Sequence, residues 1–427
     1  MRDGGRLAAA IEVLGDIAGR HKPARMALKN WGENARYAGA KDRAFVSGLV
    51  LDVLRRRRSL AWRMGGDSTD RAAVLAAVCF LWGWKVERLA VAAGEDHGPG
   101  ALTDDERLRL ATGQELDGAP SPVRGDYPDW LDGALARVFG ENRIAQAEAL
   151  ATRAPTDLRV NTLKADTARA LKALAPFNPQ TSDFLPTAIR VAAPAASERA
   201  APVEAAPEFA KGWFEVQDLG SQIAAACAGE IVGKQVLDYC AGGGGKTLSL
   251  AAAMANKGQL YAYDTDARRL TDTVRRSQRA GVRNLQIRSP IHPDPLAGLK
   301  GRMDLVFVDA PCTGSGTWRR HPDAKWRVSP EQLARRMEEQ DAVLTGAAPY
   351  LKLGGRLIYV TCSLLAEENE DRIAAFLVAN PSFRAVPAVG PADAFLTRQG
   401  FLRLTPLTAG TDGFFVAVLT LDGAGVV

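Results

Sequence analysis

From about residue 216 onward, short apolar runs alternate with segments of helical character, and this pattern constrains the fold more than any other feature of the chain. The runs fall at residues 235–239, 259–263, 285–287, 305–308 and 357–360. Each is short and bounded by turns, whereas the stretches between carry helix signals. Ser329, Pro330 and Gln332, for instance, read as an N-cap, a first-turn proline and the partner of a capping box. Strands separated by helices predict a mostly parallel, doubly wound sheet. Such sheets bind ligands at the carboxyl ends of their strands, so the residues just after each run are the candidate site.

The first run, VLDYC, leads into AGGGGKT. Four glycines, Gly242, Gly243, Gly244 and Gly245, permit close backbone approach to a ligand at a helix N-terminus. The GKT ending invites a phosphate-loop reading, but that motif needs a glycine five positions before Gly245, where Cys240 stands. An ATPase is thereby disfavoured. The second run ends at Asp264, an acid where a cofactor ribose is commonly held. Loop and acid together fit a dinucleotide or S-adenosylmethionine, and a helix-capping role for Asp264 or Asp266 is the plainer alternative.

The fourth run, DLVFVDAPCTGSG, delivers Asp309, Pro311 and Cys312 to one strand tip; the fifth, RLIYVTCS, delivers Thr361, Cys362 and Ser363 to another. Neighbouring parallel strands open onto one crevice, so Asp309, Cys312 and Cys362 are expected to converge. Carbon 5 of cytosine is too weak a nucleophile to take a methyl group unaided. A thiolate adding to carbon 6 activates it, which is covalent catalysis, and needs an ionised cysteine. Asp309 is placed to serve as an acid near ring nitrogen 3, and Lys246 to assist the thiolate or hold the base. A lone cysteine at a strand end is ordinarily a buried apolar residue, and Cys79 and Cys227 read that way.

The remainder of the chain reads as two further modules. Residues 1–150 carry helical periodicity at Ala44, Phe45, Leu49, Val50, Val53 and Leu54, and Thr103 with Glu106 forms a capping box. Residues 151–215 read as a small α/β module: a strand in DLRVNTL, a helix over 165–174, a loop through the Ala/Pro-rich stretch 191–210, and a strand at 213–216. The catalytic domain is then 216–427. The five cysteines form no CxxC pair and the four histidines (His21, His97, His292, His321) have no ligand spacing, so no metal is expected. No apolar run is long enough for a membrane span, and the N-terminus lacks a signal-peptide core, so a cytoplasmic protein is expected. The net charge of +5 and paired arginines such as Arg268-Arg269, Arg275-Arg276 and Arg319-Arg320 accord with a polyanionic partner or with solvated helix faces.

DYCAGGGGKT, DLVFVDAPCTGSGTWRRHPDAKW, YVTCSLLAEENE and TDGFF, with LRVNTLK and VQDLGSQ upstream, together resemble the Sun/RsmB family of RNA cytosine-5 methyltransferases over roughly residues 150–420. The helical N-terminus looks like a NusB-like RNA-binding domain. The resemblance implies a Rossmann-like S-adenosylmethionine methyltransferase domain acting on RNA, ribosomal RNA before transfer RNA, most simply as a monomer. It further implies Cys362 as nucleophile, Cys312 as the residue that aids product release, Cys240, Ala241, Gly242, Gly243, Gly244, Gly245 and Lys246 as the cofactor loop, Asp264 at the ribose, and Asp309 at a shared cofactor and base position. Two departures stand out. Gly242 and Gly243 replace the Ala-Pro of the family's CAAPGGK, which predicts a looser loop. Ser289 or Pro290 stands where the family carries an adenine-contacting Asp, with Asp294 the nearest acid. Both departures motivate the alternative of an RNA-binding assembly factor with weak or no catalysis.

Overall fold

The computed structural model describes every residue except His21, Arg199 and residues 423–427. Two compact units emerge. One comprises residues 1–154, 193–200 and 317–328; the other comprises 155–192, 201–316 and 329–427. Among the described residues no helix is long and apolar enough to cross a membrane.

The first unit is helical. Its leading helices, Asp3–Arg20, Ala24–Asn34, Ala40–Arg55 and Asp70–Ala76, bury Leu7, Leu14, Leu49, Val50 and Leu54 at 1% exposure or less. The predicted capping box forms: the Thr103 side chain accepts from the Glu106 amide, and Glu106 reaches back to the Thr103 amide. Residues 317–328 also belong to this unit. They are held at the end of the helix Ala40–Arg55, whose last carbonyls have no partner within the helix. Lys325 Nζ donates to the Arg55 carbonyl at 2.8 Å, and Trp326 Nε1 to the Leu54 carbonyl at 2.7 Å. Asp323 accepts from the Ala24 amide at 3.1 Å. Lys325 is 2% exposed, and burial pushes its ammonium down to about 7 despite the nearby Asp126 carboxylate.

The second unit contains two sheets. The smaller has strands β1 (Thr156–Val160), β2 (Gln180–Thr181), β3 (Ala188–Val191) and β4 (Phe214–Val216), ordered β2-β3-β1-β4 and antiparallel throughout. Leu158, Val160, Ile189 and Phe214 pack on Leu174 of the helix Thr167–Leu174. The Ala/Pro-rich stretch is mostly irregular but includes two short helical turns, Val203–Ala205 and Pro207–Ala210.

The larger sheet is Rossmann-like. Its strands are β5 (Gln235–Asp238), β6 (Gln259–Tyr263), β7 (Leu285–Arg288), β8 (Met303–Asp309), β9 (Leu351–Thr361), β10 (Phe383–Val386), β11 (Leu402–Leu404) and β12 (Phe414–Leu421). The order is β10-β12-β9-β8-β5-β6-β7, with β11 pairing β12. β5 to β9 are parallel to their neighbours in this group. The sheet is mixed because β12 runs antiparallel between β9 and β10. After β7 the chain returns to the opposite side of β5 to form β8. The tip of β5 is therefore a topological switch point, flanked by the tips of β6 and β8, where a crevice opens in folds of this kind.

Candidate active site

The loop at the switch point is shaped by its glycines. Gly242 (φ +53°) and Gly244 (φ +84°) occupy the left-handed region, and a Cβ on Gly244 would lie 2.8 Å from Thr273 Oγ1. A Cβ on Gly242 would lie 2.7 Å from Arg269 Nη2. At this position the backbone conformation favours glycine. Neighbouring side chains fasten the loop: Thr273 Oγ1 donates to the Gly242 carbonyl at 2.9 Å and Arg276 Nη1 to the Gly243 carbonyl at 2.5 Å. The helix Gly245–Ala253 follows, and its first amides have no partner within the helix.

Asp264, just past β6, is 4% exposed and accepts from the Gly242 amide (2.8 Å) and the Asp266 amide (2.9 Å), with Arg269 at 3.5 Å. A carboxylate has about four acceptor positions, so these bonds leave room for a ligand hydroxyl. Asp266 itself caps the following helix by accepting from the Arg268 amide. Asp238, the last residue of β5, is fully buried; Thr247 Oγ1 donates to its Oδ2 at 2.7 Å while Oδ1 has no partner. Burial pushes this carboxyl up to about 7. After β7 comes Ser289, whose Oγ accepts from the Ile291 amide, and no carboxylate precedes Asp294.

The tips of β8 and β9 bring the two cysteines together. Cys312 Sγ and Cys362 Sγ are 3.4 Å apart. Lys246 Nζ donates to Asp309 Oδ2 at 2.7 Å and lies 5.3 Å from the Phe414 ring centroid. Burial works against the Lys246 charge, but Asp309, with Cys362 and Asp238, outweighs it and raises the ammonium above its ordinary value. The Cys312 thiol is held well above its usual range by its hydrogen bond to Cys362 and by burial. Cys240 is also driven up, chiefly by burial, with Asp238 and Asp309 adding to it. Cys227, 2% exposed, lies in the apolar core.

Glu368, which the sequence did not single out, ties both cysteine loops together. Fully buried, it accepts from the Thr313 amide (2.8 Å), Thr313 Oγ1 (2.5 Å), Gln340 Nε2 (3.0 Å) and Ser363 Oγ. Thr313 follows Cys312 and Ser363 follows Cys362, so one carboxylate fixes the residues beside both sulfurs. Asn369 adds a second tie, accepting from Thr361 Oγ1 and donating to the Ser363 carbonyl. The TDGFF motif meets the same region, because the Gly413 amide donates to the Gly316 carbonyl and the Gly316 amide to the Cys362 carbonyl.

Comparison with known proteins accords with this geometry. A profile of the 16S rRNA methyltransferase RsmB/F family matches residues 230–420, and a profile of the RsmF/B-like ferredoxin-like domain matches residues 127–198. The probable ribosomal RNA small subunit methyltransferase B of Synechocystis sp. is 33% identical over 302 residues, which is 69% of this chain and just under two thirds (66%) of that protein. Ribosomal RNA small subunit methyltransferase B of Klebsiella pneumoniae subsp. pneumoniae is 35% identical over 402 residues, spanning 89% of this chain and 90% of that one. A crystal structure of a methyltransferase homolog protein from Pyrococcus horikoshii superimposes with a TM-score of 0.58 at 29% identity, covering 70% of this chain and 97% of the other. With so long a match at such identity, this chain belongs to the RsmB/F family of methyltransferases.

Proposed function

We propose that the protein methylates carbon 5 of a cytosine in RNA, with ribosomal RNA as the substrate, S-adenosylmethionine as the donor and Cys362 as the covalent nucleophile. The observation that carries this reading is the pair of sulfurs 3.4 Å apart beside the Lys246–Asp309 ion pair. The names of the relatives support ribosomal RNA as the target. The glycine loop suits the donor: two of its glycines take conformations that L side chains avoid, and the buried Asp264 keeps acceptor capacity for a ribose. Residues Cys240 to Lys246 and Asp264 would hold the donor, which when bound supplies an electrophilic methyl group.

The protein's own groups divide the remaining work. The Cys362 thiolate adds to carbon 6 of the cytosine, and the displaced electron pair makes carbon 5 nucleophilic. Lys246 stays cationic, held by Asp309. Asp309, hydrogen-bonded to Lys246, would act as the acid that passes a proton to ring nitrogen 3, which neutralises the negative charge the addition places there. After carbon 5 is alkylated its proton leaves to a base, for which Cys312 is placed; the 5,6 double bond re-forms and Cys362 departs. The Cys312 thiol, raised by its hydrogen bond to Cys362 and by burial, must first give up its own proton to solvent, after which its thiolate is a strong base for the one on carbon 5. Incubation with isotopically labelled S-adenosylmethionine and ribosomal RNA should yield labelled 5-methylcytosine, and Cys362→Ala should reduce it to background. Retained methylation in that variant would defeat the assignment.

A further inference from the structure

The small sheet holds a buried cation whose charge its surroundings leave unbalanced. Arg159 on β1 lies opposite Glu215 on β4 and is 5% exposed. Its Nε donates to Gln217 Oε1 at 2.7 Å. Among the described residues its two terminal nitrogens make no hydrogen bond, and no carboxylate pairs with it. Glu215 is already shared by Arg276 at 2.9 Å and Arg279 at 2.5 Å. Three guanidinium groups thus cluster about one carboxylate. Burial lowers the Arg159 guanidinium to about 10, with Glu215 opposing and Arg276 adding to the shift. A buried charge without a counter-ion is costly, and proteins keep one where a ligand completes the pair.

The unbalanced charge adjoins the glycine loop. Gln217 Oε1, which holds Arg159, also accepts from Ser249 Oγ at 3.0 Å, and Ser249 Oγ reaches the Gly245 carbonyl at 3.3 Å. Arg276 binds the Gly243 carbonyl. Lys246, the loop's own cation, is engaged by Asp309. Building on the donor site assigned above, we propose that Arg159 binds the α-carboxylate of the methyl donor's amino-acid portion and that Gln217 positions it. A planar guanidinium with two free nitrogens matches a carboxylate in a two-pronged pair. So enclosed a site admits a small-molecule carboxylate more readily than a phosphodiester on a polymer.

Titration calorimetry on the full-length protein tests this with two probes: S-adenosylhomocysteine, which carries the carboxylate, and 5′-methylthioadenosine, which shares the nucleoside but lacks the amino-acid portion. A charge-assisted pair of this kind is worth roughly tenfold or more in affinity. Arg159→Met is expected to weaken S-adenosylhomocysteine by at least about that factor while leaving 5′-methylthioadenosine unchanged, with Arg159→Lys between. Gln217→Leu, which removes the positioning bond but keeps the charge, should give the same selective loss in smaller degree and serves if Arg159→Met does not fold. Equal losses for both probes would mark a structural role and overturn the proposal. So would unchanged affinity for both, or weakened RNA binding with S-adenosylhomocysteine unaffected. Failure of the wild-type protein to bind S-adenosylhomocysteine would instead overturn the methyltransferase reading on which the proposal rests.

Discussion

Glu368 shows how much one buried carboxylate can organise. Its neighbours Thr313, Ser363 and Gln340 all direct donors at it. Glu368→Gln keeps the shape but turns an acceptor into a donor facing donors, a mismatch that costs about 1–3 kcal/mol at a buried site. Because that cost falls on the loops bearing the sulfurs, kcat should drop by roughly 100-fold, the rate equivalent of about 2.7 kcal/mol, while the affinity for S-adenosylhomocysteine stays at the wild-type value. A matching loss of cofactor affinity would mean the residue supports the fold and not the cysteine geometry. At this scale the sequence was informative where chemistry narrows the choice: two cysteines in Pro- and Ser-flanked turns stand apart from Cys227 at the end of its apolar helix. For Glu368, nothing in the residue order of AEENE says that its side chain turns inward. The unpaired charge of Arg159 was equally hidden, since it depends on Glu215, Arg276 and Arg279 meeting from distant segments.

Among elements, the glycine loop and the strap at residues 317–328 have separable tests. Gly244→Ala places a Cβ against Thr273 at φ +84°, and should destabilise the second unit by about 1–3 kcal/mol in urea denaturation. Gly245→Ala, which meets nothing within 4 Å and has no positive φ, should change stability by no more than about 0.5 kcal/mol. For the strap, Lys325 has a folded value of about 7 against an ordinary 10.5. Below pH 7 both states carry the proton and the burial penalty is fully present. Between about 7 and 10.5 the unfolded state binds more protons, so stability rises with pH, by up to roughly 4–5 kcal/mol for a shift of this size. Thermal melts of the first unit's transition should therefore climb over that range in the wild type and flatten in Lys325→Met. Element by element, the parallel strands were legible from their short buried runs. The antiparallel strands β10 to β12 were not, because β12 is apolar on both faces and gives no alternation to read.

For the whole molecule, the residue order does not say that the chain leaves and re-enters the helical unit. TWRRHPDAKW follows the Cys312 motif directly, yet its hydrogen bonds go to Leu54 and Arg55, some 270 residues earlier. The surplus of cations over acids, +5 overall, bears on RNA capture rather than on fold. If about four phosphates are neutralised on binding, affinity for single-stranded RNA should fall roughly 50-fold between about 50 and 200 mM salt, and a flat salt profile would argue against backbone contacts. The central claim remains that two adjacent sulfurs have different tasks. It is tested most directly by incubating Cys312→Ala with ribosomal RNA and S-adenosylmethionine, isolating the denaturation-resistant protein–RNA species, and mapping its attachment by mass spectrometry. The account predicts a methylated cytosine joined to Cys362. No adduct in Cys312→Ala, together with an adduct joined to Cys312 in Cys362→Ala, would contradict it.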